Sequence, residues 1–184
     1  MTPEAKAAAA SSELVEVVDL DGTVERLVTR AEMRANALRH RCTYVLVLTG
    51  DDRVVVHQRA EWKDVSPGVW DIAFGGVCDP GEDWDTAADR ELAEEAGLVG
   101  QRLEPLGPVS FEDPLAAIVG HVYWTRSDDE VTCPDGEVQA VDYVPLATIG
   151  PWLDERPPPP DSAELLVPIL MTWSADGAPD RRHP

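Results

Sequence analysis

Apolar residues in this chain fall mostly into short runs bounded by turn residues, as strands do, with a few stretches at helical spacing among them. Residues 14–20 and 23–28 read as strands around Asp21 and Gly22, a hairpin signal. Thr29-x-x-Glu32 is a capping box that opens a short helix to about Arg39. Residues 42–48 and 53–58 form a second strand pair across a turn of Thr49, Gly50, Asp51 and Asp52, and residues 69–74 lead onward from it. Further strands follow at 106–111, 117–125 and 138–144, then a short helix at 146–153. Residues 157–160 predict a stiff polyproline spacer, after which Asp161-x-x-Glu164 caps a last helix through about Trp173, kinked at Pro168. Between the two groups of strands, residues 86–96 are rich in Ala, Leu, Arg and Glu, with Asp85 placed to cap the start and Gly97 the end. Ala88, Leu92 and Ala96, with Ala93, give this helix an apolar stripe for a sheet and leave its acidic face free.

That order predicts an α/β chain with a mixed sheet between helices. The length suits one core, expected over 13–173, with disordered tails over 1–12 and 174–184. No apolar run approaches the roughly 18 residues of a membrane span, and the N-terminus has no secretory pattern, so the expectation is a cytoplasmic protein. Cys42, Cys78 and Cys133 are odd in number and never spaced as CxxC, which predicts reduced thiols rather than a disulfide frame or zinc site. The formal charge of -20, from 15 Lys+Arg against 35 Asp+Glu, excludes a nucleic acid duplex as partner, because backbone binding needs a basic footprint. The same field repels any anionic small molecule, which would need cations placed locally.

Candidate chemistry concentrates between Gly76 and Leu98. Glu91, Glu94 and Glu95 stand at i, i+3 and i+4, on one helical face, where a hard divalent cation would offset their repulsion and share phosphate oxygens with them. Alone, such a cluster reads as solvated surface with Arg90 as an ion-pair partner. The full pattern is more specific: Gly76, five residues, Glu82, seven residues, then Arg90-Glu91-Leu92-x-Glu94-Glu95-x-Gly97-Leu98. A chance fit at every position is on the order of 10^-8. On these residues the chain resembles the Nudix (MutT-like) hydrolases. The resemblance implies a Nudix fold, an α/β/α sandwich, and Mg2+ or Mn2+ held by Glu91, Glu94 and Glu95 with the Gly76 carbonyl as a further ligand. It also implies Glu82 and Arg90 as the pair that orients these ligands, and a homodimer as a frequent assembly.

Upstream, His40-Arg41-Cys42-Thr43, Arg59-Ala60-Glu61-Trp62-Lys63 and Pro67-Gly68-Val69-Trp70 are similar to the isopentenyl-diphosphate isomerases, a Nudix branch. That resemblance implies that Arg59 and Lys63 hold a diphosphate, which would offset the repulsion noted above. The isomerase chemistry itself is missing. Its cysteine position is Gly75, its later glutamates fall on Ala116 and Ile118, and of its histidine ligands only His40 remains, the others matching Met33 and Val77. Cys78 lies four residues before Glu82 and does not take the cysteine's place. The expectation is therefore metal-dependent hydrolysis of a phosphoanhydride bond in a nucleoside-diphosphate-X or other small organic diphosphate. The catalytic base is open between a box glutamate, Glu94 or Glu95, and a downstream carboxylate, Glu112, Asp113 or Glu137, with Glu137 ranked first. The alternatives are an isomerase-like enzyme and a non-catalytic binding module; modules usually lose box glutamates, whereas Glu82, Glu91, Glu94 and Glu95 are all present. Trp62, Trp70, Phe111, Tyr123 and Trp124 read as core aromatics, and His57 and His121 as structural.

Overall fold

The apolar run beginning at Cys42 is buried on both faces and becomes the axis of the molecule. In the computed structural model, which describes residues 2–179, this run lies in β3 (Arg39–Leu48) and pairs in parallel with β7 (Ala117–Arg126), from Arg39↔Ala117 to Leu48↔Arg126. The other edge of β3 meets β1 (Leu14–Val18) at His40, the segment near Phe74 and Val77 through isolated bridges, and β4 (Arg53–Arg59) at Leu48. β1 forms a hairpin with β2 (Val24–Thr29). β4 pairs antiparallel with the short β5 (Trp70–Asp71) and with β8 (Val138–Pro145), and β6 (Glu104–Glu112) pairs with β7. One mixed eight-stranded sheet results.

Alternation along β3 sends Tyr44, Leu46 and Leu48 to one face, where α4 (Ile149–Glu155), α5 (Pro160–Leu165) and α6 (Val167–Asp176) bury Ile149, Leu166 and Leu170. Val45 and Val47 face the other way, against Ala88, Leu92 and Ala96 of α3 (Trp84–Glu91) and the turn that extends it. Each fully buried Leu or Ile contributes about 1.5–3 kcal/mol over exposure, so both helical layers are held by the sheet. The architecture is the expected α/β/α sandwich. A smaller cluster of Val15, Val17, Val28 and Met33 seats the hairpin on α2 (Arg30–Ala35).

Several boundaries differ from expectation. Residues 3–12, read as an unstructured tail, form α1 (Pro3–Ser12), capped by Thr2 and tied by the Lys6 ammonium to the Asp135 carbonyl, although it buries no residue. At the other end, α6 runs to Asp176 rather than stopping at Trp173, and residues 180–184 lie outside those described. Asp83, not Asp85, caps α3: its Oδ1 accepts the Thr86 N–H at 3.0 Å, while Asp85 accepts the Tyr123 hydroxyl at 2.6 Å. Asp161 does not cap α5, which starts at Pro160 without a side-chain cap; the fixed φ and missing N–H of proline suit a first helical position. The break after α5 falls at Leu166, and Pro168 sits in the first turn of α6, where its absent donor costs nothing. α2 stops at Ala35, and the 146–153 helix divides into a 3-10 turn, Leu146–Thr148, and α4.

Candidate active site

The segment before α3 is stitched to β3 by backbone bonds: Val45 N–H to Phe74 O at 2.7 Å, Thr43 N–H to Gly76 O at 2.9 Å, and Cys78 N–H to Arg41 O at 2.9 Å. Glycine is required at Gly75, and at Gly76 it leaves room for the Glu91 side chain. Gly75 has φ +151°, and a Cβ there would lie 2.0 Å from the Thr43 carbonyl oxygen. A Cβ on Gly76 would lie 2.8 Å from both Glu91 carboxylate oxygens, so the acid rests directly on the backbone. The Gly76 carbonyl, expected as a ligand, already accepts the Thr43 N–H and keeps one further lone pair.

α3 continues past Glu91 as a single π turn, Leu92–Ala96, and closes on Gly97 at φ +74°. Arg90 organises the acids around it. Its Nε and Nη2 grip Glu82 at 3.0 and 2.8 Å, its Nη1 donates to Glu91 at 2.9 Å and Glu94 at 3.1 Å, and Nη2 also reaches the Val77 carbonyl at 3.3 Å. Hydrogen bonds from Arg90 hold the Glu82 carboxyl below its ordinary range, and Glu82 in turn raises Arg90. The acidic face, read as free, is largely buried: Glu91 is 9% exposed and Glu95 3%, while Glu94 alone of the three is open. Burial raises both Glu91 and Glu95, against the lowering effect of Arg90 on the first and Lys63 on the second.

Glu95 belongs to a second network. It accepts the Gly75 N–H at 3.0 Å and lies 3.7 Å from Lys63 Nζ, which also pairs with Glu137. Lys63 and Glu137 line one cavity of about 360 Å3 with Glu91 and Glu94, and Glu95 lies buried behind Lys63. Glu112 pairs with Arg39 outside this cavity, and Asp113 Oδ1 is engaged by the Leu115 and Ala116 N–H groups in the β6 to β7 turn, both at 2.7 Å. Arg59 is not among the acids: its Nη1 lies 3.8 Å from Asp71 and its Nε donates to the Val65 carbonyl at 3.1 Å, in an adjoining cavity of about 390 Å3. Lys63, Gly75 and Gly76 line both cavities.

Sequence reasoning missed Arg30, which also lines both, and Arg34. Their i,i+4 spacing on a capped helix was visible, but nothing in it shows that α2 leans over the box, with both guanidinium groups on Asp64 at 3.2 and 3.4 Å. It also missed Glu16, whose Oε1 accepts the Gly81 N–H at 2.9 Å, and the Arg41 guanidinium 4.1 Å above the Trp84 ring, which stacks on His121. His57 is a packed core residue, stacked on Phe74 at 4.6 Å and held neutral by burial. Burial pushes the Cys78 thiol up to about 12, as suits an inert cysteine.

Among the described residues no three ligating side chains converge on one point, because Arg90 bridges Glu91 and Glu94 while Lys63 stands at Glu95. The donor chemistry nevertheless fits a hard divalent cation: carboxylate oxygens, two of the acids buried and raised by that burial. An isomerase cysteine does not fit, since position 75 leaves no room for any side chain.

A family model described as NUDIX domain matches residues 38–165, from the end of α2 through α5. The chain is 34% identical over 166 residues to a Salmonella typhi protein named as an uncharacterised Nudix hydrolase, YfcD, covering 90% of this chain and 89% of that one. The Escherichia coli K12 protein of the same name is 34% identical over 158 residues, covering 86% and 87%. Among solved structures, DR0079 from Deinococcus radiodurans matches with TM-score 0.70 at 21% identity, covering 83% of this chain and 96% of that one. The NUDIX domain of Shewanella oneidensis NrtR, solved with ADP ribose, matches with TM-score 0.58 at 24% identity, covering 75% and 94%. These two likenesses speak to the fold. With the box intact on α3 and its π turn, and with the family match spanning β3 to α5, this chain belongs to the Nudix hydrolase family.

Proposed function

We propose that the protein is a divalent-metal-dependent hydrolase that cleaves the phosphoanhydride bond of a small organic diphosphate. The observation that carries this reading is the burial of Glu91 and Glu95 against the backbone of Gly75 and Gly76, with Arg90 ordering the surrounding acids. Glu91, Glu94 and Glu95 would hold Mg2+ or Mn2+ beside the remaining Gly76 lone pair; a bound ion there neutralises phosphate charge and makes water nucleophilic at neutral pH. Arg90 keeps Glu91 and Glu94 in register, and Glu82 keeps Arg90 in place. Lys63, now paired with Glu95 and Glu137, turns to the arriving diphosphate and releases Glu137 to take a proton from the attacking water. Arg59 and Arg30 supply further positive charge against the global field of -20.

The test is a phosphate and pyrophosphate release screen over organic diphosphates with Mg2+ and Mn2+, run beside Glu95→Gln and Glu137→Gln. Each variant is expected to lose about 10^2- to 10^4-fold in kcat. Thermal denaturation gives a readout independent of turnover: saturating Mg2+ should stabilise the protein, by about 2.7 kcal/mol at a hundred times Kd, and Glu91→Gln should lack that gain. A wild type that turns over no diphosphate, or variants that match it, would sink the reading.

A further inference from the structure

The 390 Å3 cavity is lined by a carboxylate, Asp161, for which the hydrolytic chemistry has no use. Asp161, in the first turn of α5, accepts the Tyr44 hydroxyl at 2.9 Å and is close enough to Asp71 for the two charges to oppose each other. Asp71 is buried and already satisfied: its Oδ1 takes the Ile72 N–H at 2.8 Å, Ser162 and the Ala73 backbone bond it as well, and its Oδ2 lies 3.8 Å from Arg59 Nη1. Burial raises both carboxyls above the ordinary range. His40 lines the same cavity. Its ring faces the Leu38 carbonyl, 2.9 Å from Nδ1, and the Ala117 backbone. Phe111, Leu115 and Ile118 give this cavity an apolar wall, while Arg30 and Lys63 line both this cavity and the one holding the box acids.

We infer that the organic half of the substrate carries an amine, read by the Asp161 carboxylate on the wall of this cavity while its diphosphate lies toward Arg30 and Lys63. The diphosphate end of this inference rests on the hydrolase reading; the amine end rests on the cavity alone. A plain hydrocarbon in the same place would take water from the Asp161 carboxylate and give no hydrogen bond in return. That disfavours the prenyl diphosphates to which the upstream likeness pointed. An ammonium or amino group instead matches the Asp161 carboxylate while its carbon frame packs on the apolar wall.

An isosteric pair of probes tests this: 3-aminopropyl diphosphate against n-butyl diphosphate, with the methylene-bridged, non-hydrolysable analogue of each. Wild type should favour the amine at least about ten-fold, both in kcat/KM for the diphosphates and in calorimetric Kd for the bridged analogues. Asp161→Asn should collapse that ratio and Asp161→Leu should invert it, whereas Glu164→Gln, exposed on the same helix, should keep it. Equal or tighter binding of the butyl analogue by wild type overturns the inference, and so does a ratio that survives in a folded Asp161→Asn. If the Asp161 variants fail to fold, the wild-type ratio alone decides. An amine preference in Kd without any turnover would defeat the hydrolase reading and leave this one standing; turnover of both probes without preference would do the reverse.

Discussion

Arg90 makes hydrogen bonds to three glutamates and one carbonyl, and such a fork cannot be replaced by a point charge. Arg90→Lys keeps the charge but loses the planar grip on Glu82, so Glu91 and Glu94 lose their register. Outer support of this kind is worth about 10- to 100-fold in metal affinity or activity, and a Mg2+ titration of the variant followed by thermal shift should show a weakening in that range. Two buried histidines set a pH dependence of stability. Burial holds His57 at about 3 and His40 at about 4, against 6.5 for the free side chain. Between those values the unfolded chain binds protons that these histidines refuse in the folded protein, so their contribution is full above pH 6.5 and falls as pH drops toward 4, while Glu91 and Glu95, raised by burial, contribute with the opposite sign. Each histidine contributes a slope of up to about 1.4 kcal/mol per pH unit, and urea titrations at pH 4.5 to 6.5 should show His57→Phe lacking that share of the wild-type slope as pH falls.

The box helix shows how far an element can be read from its residues. Its apolar stripe of Ala88, Leu92 and Ala96 is buried as expected, and Gly97 closes it in the left-handed region. The start was misplaced by two residues because Asp83 and Asp85 are equally good caps on paper; only the position of Tyr123 on β7 commits Asp85 to its hydroxyl. Asp83→Ala should therefore lower stability by about 1 kcal/mol in denaturant titration, the usual worth of an N-cap. Gly97→Ala should cost more than that, since φ is +74° and the added Cβ would meet Thr132 Oγ1 at 2.1 Å. The π turn at Leu92–Ala96 has no local signature, and turns of this kind gather at functional sites. Asp161-x-x-Glu164 is the opposite case, a pattern that fits a capping box and serves the cavity instead.

For the whole molecule, a charge of -20 at neutral pH means that the folded state repels itself. Raising NaCl from about 10 to 150 mM shortens the Debye length from about 30 to 8 Å and should raise Tm by a few degrees in calorimetry; a flat response would show that the acids are already balanced locally. The sequence by itself determined what depends on near neighbours along the chain: the runs that become strands, the helix carrying the box, its closing glycine, and the family. Spacing of this kind acts within a turn or a strand pair, where backbone geometry fixes the distances. Which cations meet which acids was decided by the tertiary structure. Parallel pairing of β3 with β7 and the folding of residues 74–78 along β3 bring Gly75 to Glu95. Close packing also sets Lys63 on Glu137, Arg30 on the walls of two cavities, and Asp161 on the wall of one of them. These pairs are remote in the chain, and no local rule assigns a distance between them until the sheet register exists.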